Sequence, residues 1–224
     1  MNKRETIISG RECILFDNAS ADCLLVQPVD DHDSGLLEQE VKQIQALSDK
    51  PFSLVAFRVG DWNKELTPWP APPVFGKVPF GEGAEETLAF VVGQLLPEFH
   101  GEIRHCLLGG YSLAGLFALW AAYQTDLFAG VVAASPSVWY PGWTEFVADK
   151  TPMAKSIYLS LGDKEEKTKN PVMAQVGNAI RMQYDRLAGQ MENVVLEWNQ
   201  GNHFVDADKR MAKGFAWLMN GGKK

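Results

Sequence analysis

The chain of 224 residues is 46% apolar and 22% charged, enough apolar side chain for one sizeable core and too much for a disordered polymer. Its formal net charge is −7 and it holds no basic run, which excludes the electrostatic footprint of a nucleic-acid or anionic-membrane binder. No apolar segment reaches signal-peptide or spanning length, and Cys13, Cys23 and Cys106 form no motif, so the expectation is one soluble, cytoplasmic domain over residues 1–224 with reduced thiols.

Apolar strands and amphipathic helices alternate along the chain, which predicts an α/β fold: a mostly parallel central sheet with helices on both faces. Residues 13–16 and 23–26 read as short strands around an Asp17-Asn18-Ala19-Ser20 turn, an antiparallel opening to the sheet. Leu37, Val41, Ile44 and Leu47 then recur at helical spacing, and residues 52–59 make the next strand. Residues 61–73 carry four prolines and two tryptophans and read as loop. Residues 85–99 are helical, with Leu88, Val91, Val92, Leu95, Leu96 and Phe99 on one stripe. Later strands are predicted at 130–134, at 156–161 closed by Gly162, and at 194–198. Asn170-Pro171 opens a helix between the last two strands, and Phe204, Met211, Phe215 and Leu218 mark a closing helix. No repeat, linker or insertion large enough for a separate lid domain interrupts the chain.

The chemistry concentrates where His105-Cys106-Leu107-Leu108-Gly109-Gly110-Tyr111-Ser112 runs into Leu113-Ala114-Gly115-Leu116. An apolar strand meets a helix of small residues through a Gly-x-Ser turn. Such a turn holds a serine hydroxyl exposed above the sheet, which makes Ser112 the candidate nucleophile. The usual pattern has glycine two residues after the serine; Ala114 stands there, and the turn survives only if Ala114 avoids φ > 0. A serine also needs a base, and the base an orienting group. Of the four histidines, His100 and His105 precede the elbow strand and fall at its far end, and His32 lies in an acidic turn. His203 follows the last strand, at the carboxyl edge that a parallel sheet shares with Ser112, and is the candidate base. For the acid, the segment after Gly162 offers Asp163, Glu165 and Glu166. The strand's alternation does not choose among them; the Gly-x-x-(Asp/Glu) spacing that hydrolase-fold proteins commonly use for the acid would place Glu165 first, Asp163 second and Glu166 third, and a Ser–His dyad stays open. Donors for a developing oxyanion are expected at the Leu113 N–H and at the main chain of Asp30 or Asp31, after an early strand. The Asp30-Asp31-His32-Asp33 run has no distant partners at ligand spacing, so neither metal nor cofactor is expected. Trp62, Trp69, Trp139 and Trp143 suggest an aromatic entrance, with Tyr111 beside the serine.

Together, Gly110-Tyr111-Ser112-Leu113-Ala114-Gly115-Leu116-Phe117-Ala118-Leu119, Ser135-Pro136-Ser137-Val138-Trp139, Gly162-Asp163-Lys164-Glu165 and Asn202-His203 resemble the esterase D-like branch of the α/β-hydrolase superfamily. Relatives of that branch include enterochelin esterases and S-formylglutathione hydrolases. The resemblance spans nearly the whole chain and implies an α/β-hydrolase fold. It also implies that Ser135, Trp139 and Tyr140 lie near an acyl pocket. Some siderophore-cleaving relatives carry an Arg-x-x-Glu-Leu element; here the stretch reads Trp62-Asn63-Lys64-Glu65-Leu66, with Trp62 in the arginine's place. The expected activity is hydrolysis of a small or medium carboxylic ester or thioester, with no partner beyond that substrate. The alternative is a catalytically silent protein of the same fold that binds a ligand or partner.

Overall fold

The computed structural model describes residues 1–99 and 103–222. Eight strands form one sheet: β1 (Asn2–Ile8), β2 (Arg11–Asp17), β3 (Cys23–Val29), β4 (Phe52–Arg58), β5 (His105–Tyr111), β6 (Gly130–Ala134), β7 (Ser156–Gly162) and β8 (Asn193–Asn199). Their order across the sheet is β1-β2-β4-β3-β5-β6-β7-β8. From β4 to β8 all pairings are parallel, while β1 with β2 and β2 with β4 are antiparallel.

The helices are α1 (Asp31–Ser34), α2 (Leu37–Leu47), α3 (Trp62–Glu65), α4 (Ala84–Phe90), α5 (Leu113–Ala121), α6 (Trp143–Val147), α7 (Val176–Ala188) and α8 (Ala207–Met219). On one face of the sheet, α2 and α8 pack through Leu37, Val41 and Ile44 with Met211, Phe215 and Leu218. On the other, α4, α5 and α7 bury Leu88, Leu116, Phe117, Ile180 and Leu187. These five helices spend their apolar stripes inward, which is what fixes two layers of helix around one of strands. No helix among the described residues is long and apolar enough to cross a membrane.

Three readings of the sequence are corrected. The segments 13–16 and 23–26 are not a hairpin, because β4 lies between β2 and β3, pairing Cys13 with Phe57 and Cys23 with Phe52. All seven residues of β3 are buried; a strand covered on both faces belongs inside a parallel sheet, fed by a helical crossover. The segment 61–73 is not all loop: Asp61 Oδ1 accepts from Lys64 N–H at 3.0 Å and starts the single turn of α3. The closing helix starts at Ala207, after Phe204, which is exposed outside it. The helix over 85–99 is continuous but changes pitch, becoming a π turn at Val91–Leu95 and a 3₁₀ turn at Leu96–Phe99. Pro97 has no N–H to offer the carbonyl four residues back, so the regular ladder cannot continue through it. His100 falls outside the described residues. The edge strand β1 escaped detection because most of it is exposed, charged and polar.

Candidate active site

Parallel strands deliver their carboxyl ends to one edge, and the loops after β3, β5, β6, β7 and β8 meet there. Ser112 sits between β5 and α5 at φ 59°, ψ −120°, a conformation that costs a non-glycine residue about 1–3 kcal/mol. Backbone pairing holds it: Ser112 N–H donates to the Ala134 carbonyl at 3.1 Å, and the Ser112 carbonyl accepts from Leu116 N–H and Ser137 N–H, each at 3.0 Å. A side chain at Gly110 would collide with the Ala114 carbonyl, and one at Gly115 would stand 3.0 Å from the Gly110 carbonyl. Those two glycines let strand and helix touch. Ala114 is not among the positive-φ residues, so its methyl is compatible with the turn.

His203 hangs over Ser112 from the loop between β8 and α8. Its Nε2 lies 3.0 Å from Ser112 Oγ and its Nδ1 2.7 Å from Glu165 Oε2. The side chain is 25% exposed, that of Glu165 4%. The His203 carbonyl accepts from Tyr111 Oη at 2.8 Å, which pins the loop to the end of β5. Gly201, at φ 105°, turns the chain ahead of it.

Of the carboxylates after Gly162, it is Glu165 that meets the imidazole. Asp163 instead accepts from Gly201 N–H through Oδ1 at 2.8 Å, bracing the same loop from outside. Glu166 pairs with Arg181 at 3.0 Å. Burial pushes the Glu165 carboxyl up, but His203, Ser135 Oγ and Gly162 N–H outweigh it by hydrogen bonding and hold it below the ordinary 4.5.

Oε1 of Glu165 receives three donors: Ser135 Oγ at 2.7 Å, Gly162 N–H at 2.8 Å and Arg210 Nη1 at 2.7 Å. Sequence reasoning missed Arg210. The available signal was a charged residue on the apolar stripe of α8, four residues before Gly214 and eight before Leu218.

A cavity of about 730 Å³ opens over Ser112 and His203, walled by Trp62, Phe75, Trp139 and Phe204, with Lys164 and Lys167 on another side. Ser135 also reaches its wall. Other expected lining residues do not. Trp69 and Tyr140 lock together beneath the loop, Trp69 Nε1 donating to the Pro141 carbonyl at 2.7 Å and Tyr140 Oη to the Trp69 carbonyl. Trp143 is buried and donates to Gln183 Oε1 at 3.0 Å. Tyr111 backs His203 from behind, ring centroids 5.2 Å apart. In each case the polar tip has found a partner in the interior, so the ring is packing rather than wall.

Leu113 is the first residue of α5, where a helix leaves its N–H without an internal acceptor. Asp30 caps α1, its Oδ1 accepting from Asp33 N–H at 2.8 Å, and the Asp31 carboxylate pairs with Arg58. Both line a polar cleft on the far side of Trp62, shared with Arg11, Arg58 and Glu65. Asp30, His32 and Asp33 place one ligand atom each within 4.8 Å of one another; the Asp30 carboxylate is committed to the cap and His32 is exposed.

No protein-family model and no curated protein sequence matches the chain. Solved structures do. The siderophore hydrolase EstA from Aspergillus nidulans is 19% identical over 94% of this chain and 90% of its own, with a TM-score of 0.74. An IroE-like serine hydrolase from Shewanella oneidensis is 16% identical over 98% of this chain and 80% of its own, with a TM-score of 0.77. The Pyrococcus furiosus esterase Pf2001 is 13% identical over 97% of this chain and 92% of its own, with a TM-score of 0.60. With the sheet order, the serine turn and these likenesses in hand, the chain has the α/β-hydrolase fold.

Proposed function

We propose that this protein is a serine carboxylester hydrolase. The observation that carries the reading is the unbroken line from Glu165 Oε2 through both ring nitrogens of His203 to Ser112 Oγ, at 2.7 and 3.0 Å, on a strained turn at the floor of a cavity. A serine hydroxyl is otherwise a poor nucleophile at neutral pH. The naming of its structural neighbours as esterases and serine hydrolases supports the same reading.

In this reading Ser112 Oγ attacks the acyl carbonyl while His203 Nε2 takes its proton. Glu165 keeps the Nδ1–H tautomer and stabilises the imidazolium that forms. The Leu113 N–H and a main-chain N–H at Asp30 or Asp31 receive the oxyanion. The intermediate collapses, His203 returns the proton to the leaving oxygen, and the alcohol departs from an acyl-Ser112. Water, deprotonated by His203, attacks that acyl group; the second tetrahedral intermediate collapses as His203 returns the proton to Ser112 Oγ, and the acid is released. No cofactor takes part. The aromatic walls formed by Trp62, Phe75, Trp139 and Phe204 suit the apolar part of a small or medium ester.

Fluorophosphonate labelling, with the adduct located by mass spectrometry, tests the reading. One adduct on Ser112, absent from Ser112→Ala, is expected. A folded wild-type protein that takes no label and turns over no ester in a broad panel would be a binding protein instead.

A further inference from the structure

An arginine buried to 1% exposure is costly unless its charge is paired. The Nε–H of Arg210 finds no acceptor among the described residues, so the partners of its two terminal nitrogens report what it is for. Nη1 reaches Glu165 Oε1 at 2.7 Å, Ser135 Oγ at 2.9 Å and Tyr111 Oη at 3.0 Å, and Nη2 donates to the Asn202 carbonyl at 2.9 Å. The directions are consistent. Ser135 Oγ gives its proton to Glu165 and Tyr111 Oη gives its proton to the His203 carbonyl, so both hydroxyls turn lone pairs toward the guanidinium. One side chain of α8 thereby joins the ends of β5 and β6, the turn after β7 and the loop after β8. Arg210, Ser135 and Tyr111 each hydrogen-bond Glu165 or His203 directly, and Asn202 precedes His203 in the chain.

We propose that Arg210 is a positioning residue for the hydrolytic site: it saturates Glu165 Oε1 so that Oε2 is committed to His203, and its charge tempers the basicity that the carboxylate confers on the imidazole. The proposal rests on the serine-hydrolase reading above. Arg210 touches no reacting atom and acts through Glu165 and the His203 loop. Its positive charge lies beyond the carboxylate and opposes the imidazolium, so removing it makes His203 more basic. The other charged or titratable groups facing His203 are Glu165 from the turn after β7, Tyr111 from β5, Asp33 from α1, and Lys164 and Lys167 across the cavity. None of these groups is itself altered when Arg210 alone is changed.

The test is an NMR titration of His203 together with the pH profile of kcat/KM for p-nitrophenyl ester hydrolysis, in wild type, Arg210→Met and Arg210→Lys. A full charge removed from behind the carboxylate in a partly solvated site moves a neighbouring pKa by roughly one unit. Arg210→Met is therefore expected to raise the His203 midpoint and the acidic limb together by about one pH unit, and Arg210→Lys to leave both in place. A merely structural role would lower the folded, Ser112-labelled fraction, and the apparent kcat only in proportion to it, without moving either. Coincident midpoints in wild type and a folded Arg210→Met, with Ser112 labelled normally, overturn the proposal and leave the hydrolase reading standing. Should Arg210→Met not fold, Arg210→Lys decides: one ammonium cannot span all four acceptors, so kcat is expected to fall about tenfold at unchanged KM. A lysine variant with wild-type kcat overturns the positioning role. A shifted His203 midpoint in a protein whose Ser112 takes no label and which turns over no ester overturns the hydrolase reading, and the catalytic sense of the proposal with it.

Discussion

Replacing Glu165 by glutamine changes one atom and separates the roles of the two carboxylate oxygens. Three donors converge on Oε1, from Ser135, Gly162 and Arg210, so the amide oxygen must settle there. The NH₂ group is then left facing His203 Nδ1, where Oε2 now stands at 2.7 Å. A donor at that point forces Nδ1 to accept, and the ring proton moves to Nε2, toward Ser112 Oγ. The base then has its only proton where it needs a lone pair. The imidazolium also loses its counter-charge, worth about 4 kcal/mol for charges roughly 4 Å apart at an effective dielectric of ~20. That corresponds to roughly a thousandfold in rate. The same change leaves the guanidinium of Arg210 buried without its anion, a cost of about 3–5 kcal/mol, which for a chain of this size lowers Tm by roughly 10 °C. Initial rates on p-nitrophenyl esters, measured well below the variant's Tm, give the first quantity and calorimetry the second. Asp163→Asn, which touches only the Gly201 N–H, is expected to stay within about tenfold of wild type. A folded Glu165→Gln within tenfold of wild type would refute the reasoning, and equal, mild losses in both variants would point to a Ser–His dyad.

Ser112→Ala is expected to lose at least a thousandfold in turnover with its fold intact. Ser112→Gly should be just as inactive but melt higher than the alanine variant, by about 1 kcal/mol, because glycine carries no penalty at φ 59°; equal melting would deny the strain. Glu40 is buried against Gln27, and burial lifts its carboxyl to about 8. Its folded-state value lies above the unfolded one, so stability falls as pH rises from about 4.5 to 8, and Glu40→Gln should remove that slope in denaturant titrations. For Glu165 the sign is opposite: its folded value is depressed, so its contribution is present above the unfolded value and lost as pH falls through the folded one. EDTA should leave turnover unchanged, and a strong loss would give the Asp30, His32 and Asp33 group a role as metal ligands.

The parts of the molecule legible in the sequence are those that physics writes in runs. β5, β6 and β7 are short apolar segments flanked by glycine or polar turns, and a Gly-x-Ser step between an apolar strand and a small-residue helix suits a nucleophile elbow better than an ordinary loop. Strand order is not written that way: nothing local in residues 13–26 says that β4 will insert between β2 and β3, because that follows from the crossover through α2. The Gly-x-x-(Asp/Glu) spacing ranks Glu165 ahead of Asp163 but leaves the choice between them open. That choice depends on the 3₁₀ turn at Glu165–Lys167, which folds Glu165 inward while Asp163 stays outside. Aromatic content misled for Trp69 and Trp143, and the family resemblance for Tyr140, since a ring that lines a cavity and a ring that packs under a loop have the same composition. Phe75, which does form wall, sits in no periodic run, and Phe204, which also does, reads at the spacing of the closing helix.

The placement of Arg210 and His203 beyond β8 bears on biosynthesis. Ser112 and Glu165 are both translated before β8, but the base and the guanidinium that braces the acid arrive with the loop and helix after it. A nascent chain that has emerged only through β8 presents a serine turn and a carboxylate with nothing to link them. In the proposed mechanism such a chain is inert toward esters, and hydrolytic competence is acquired in one step, when α8 docks against α2 and the sheet.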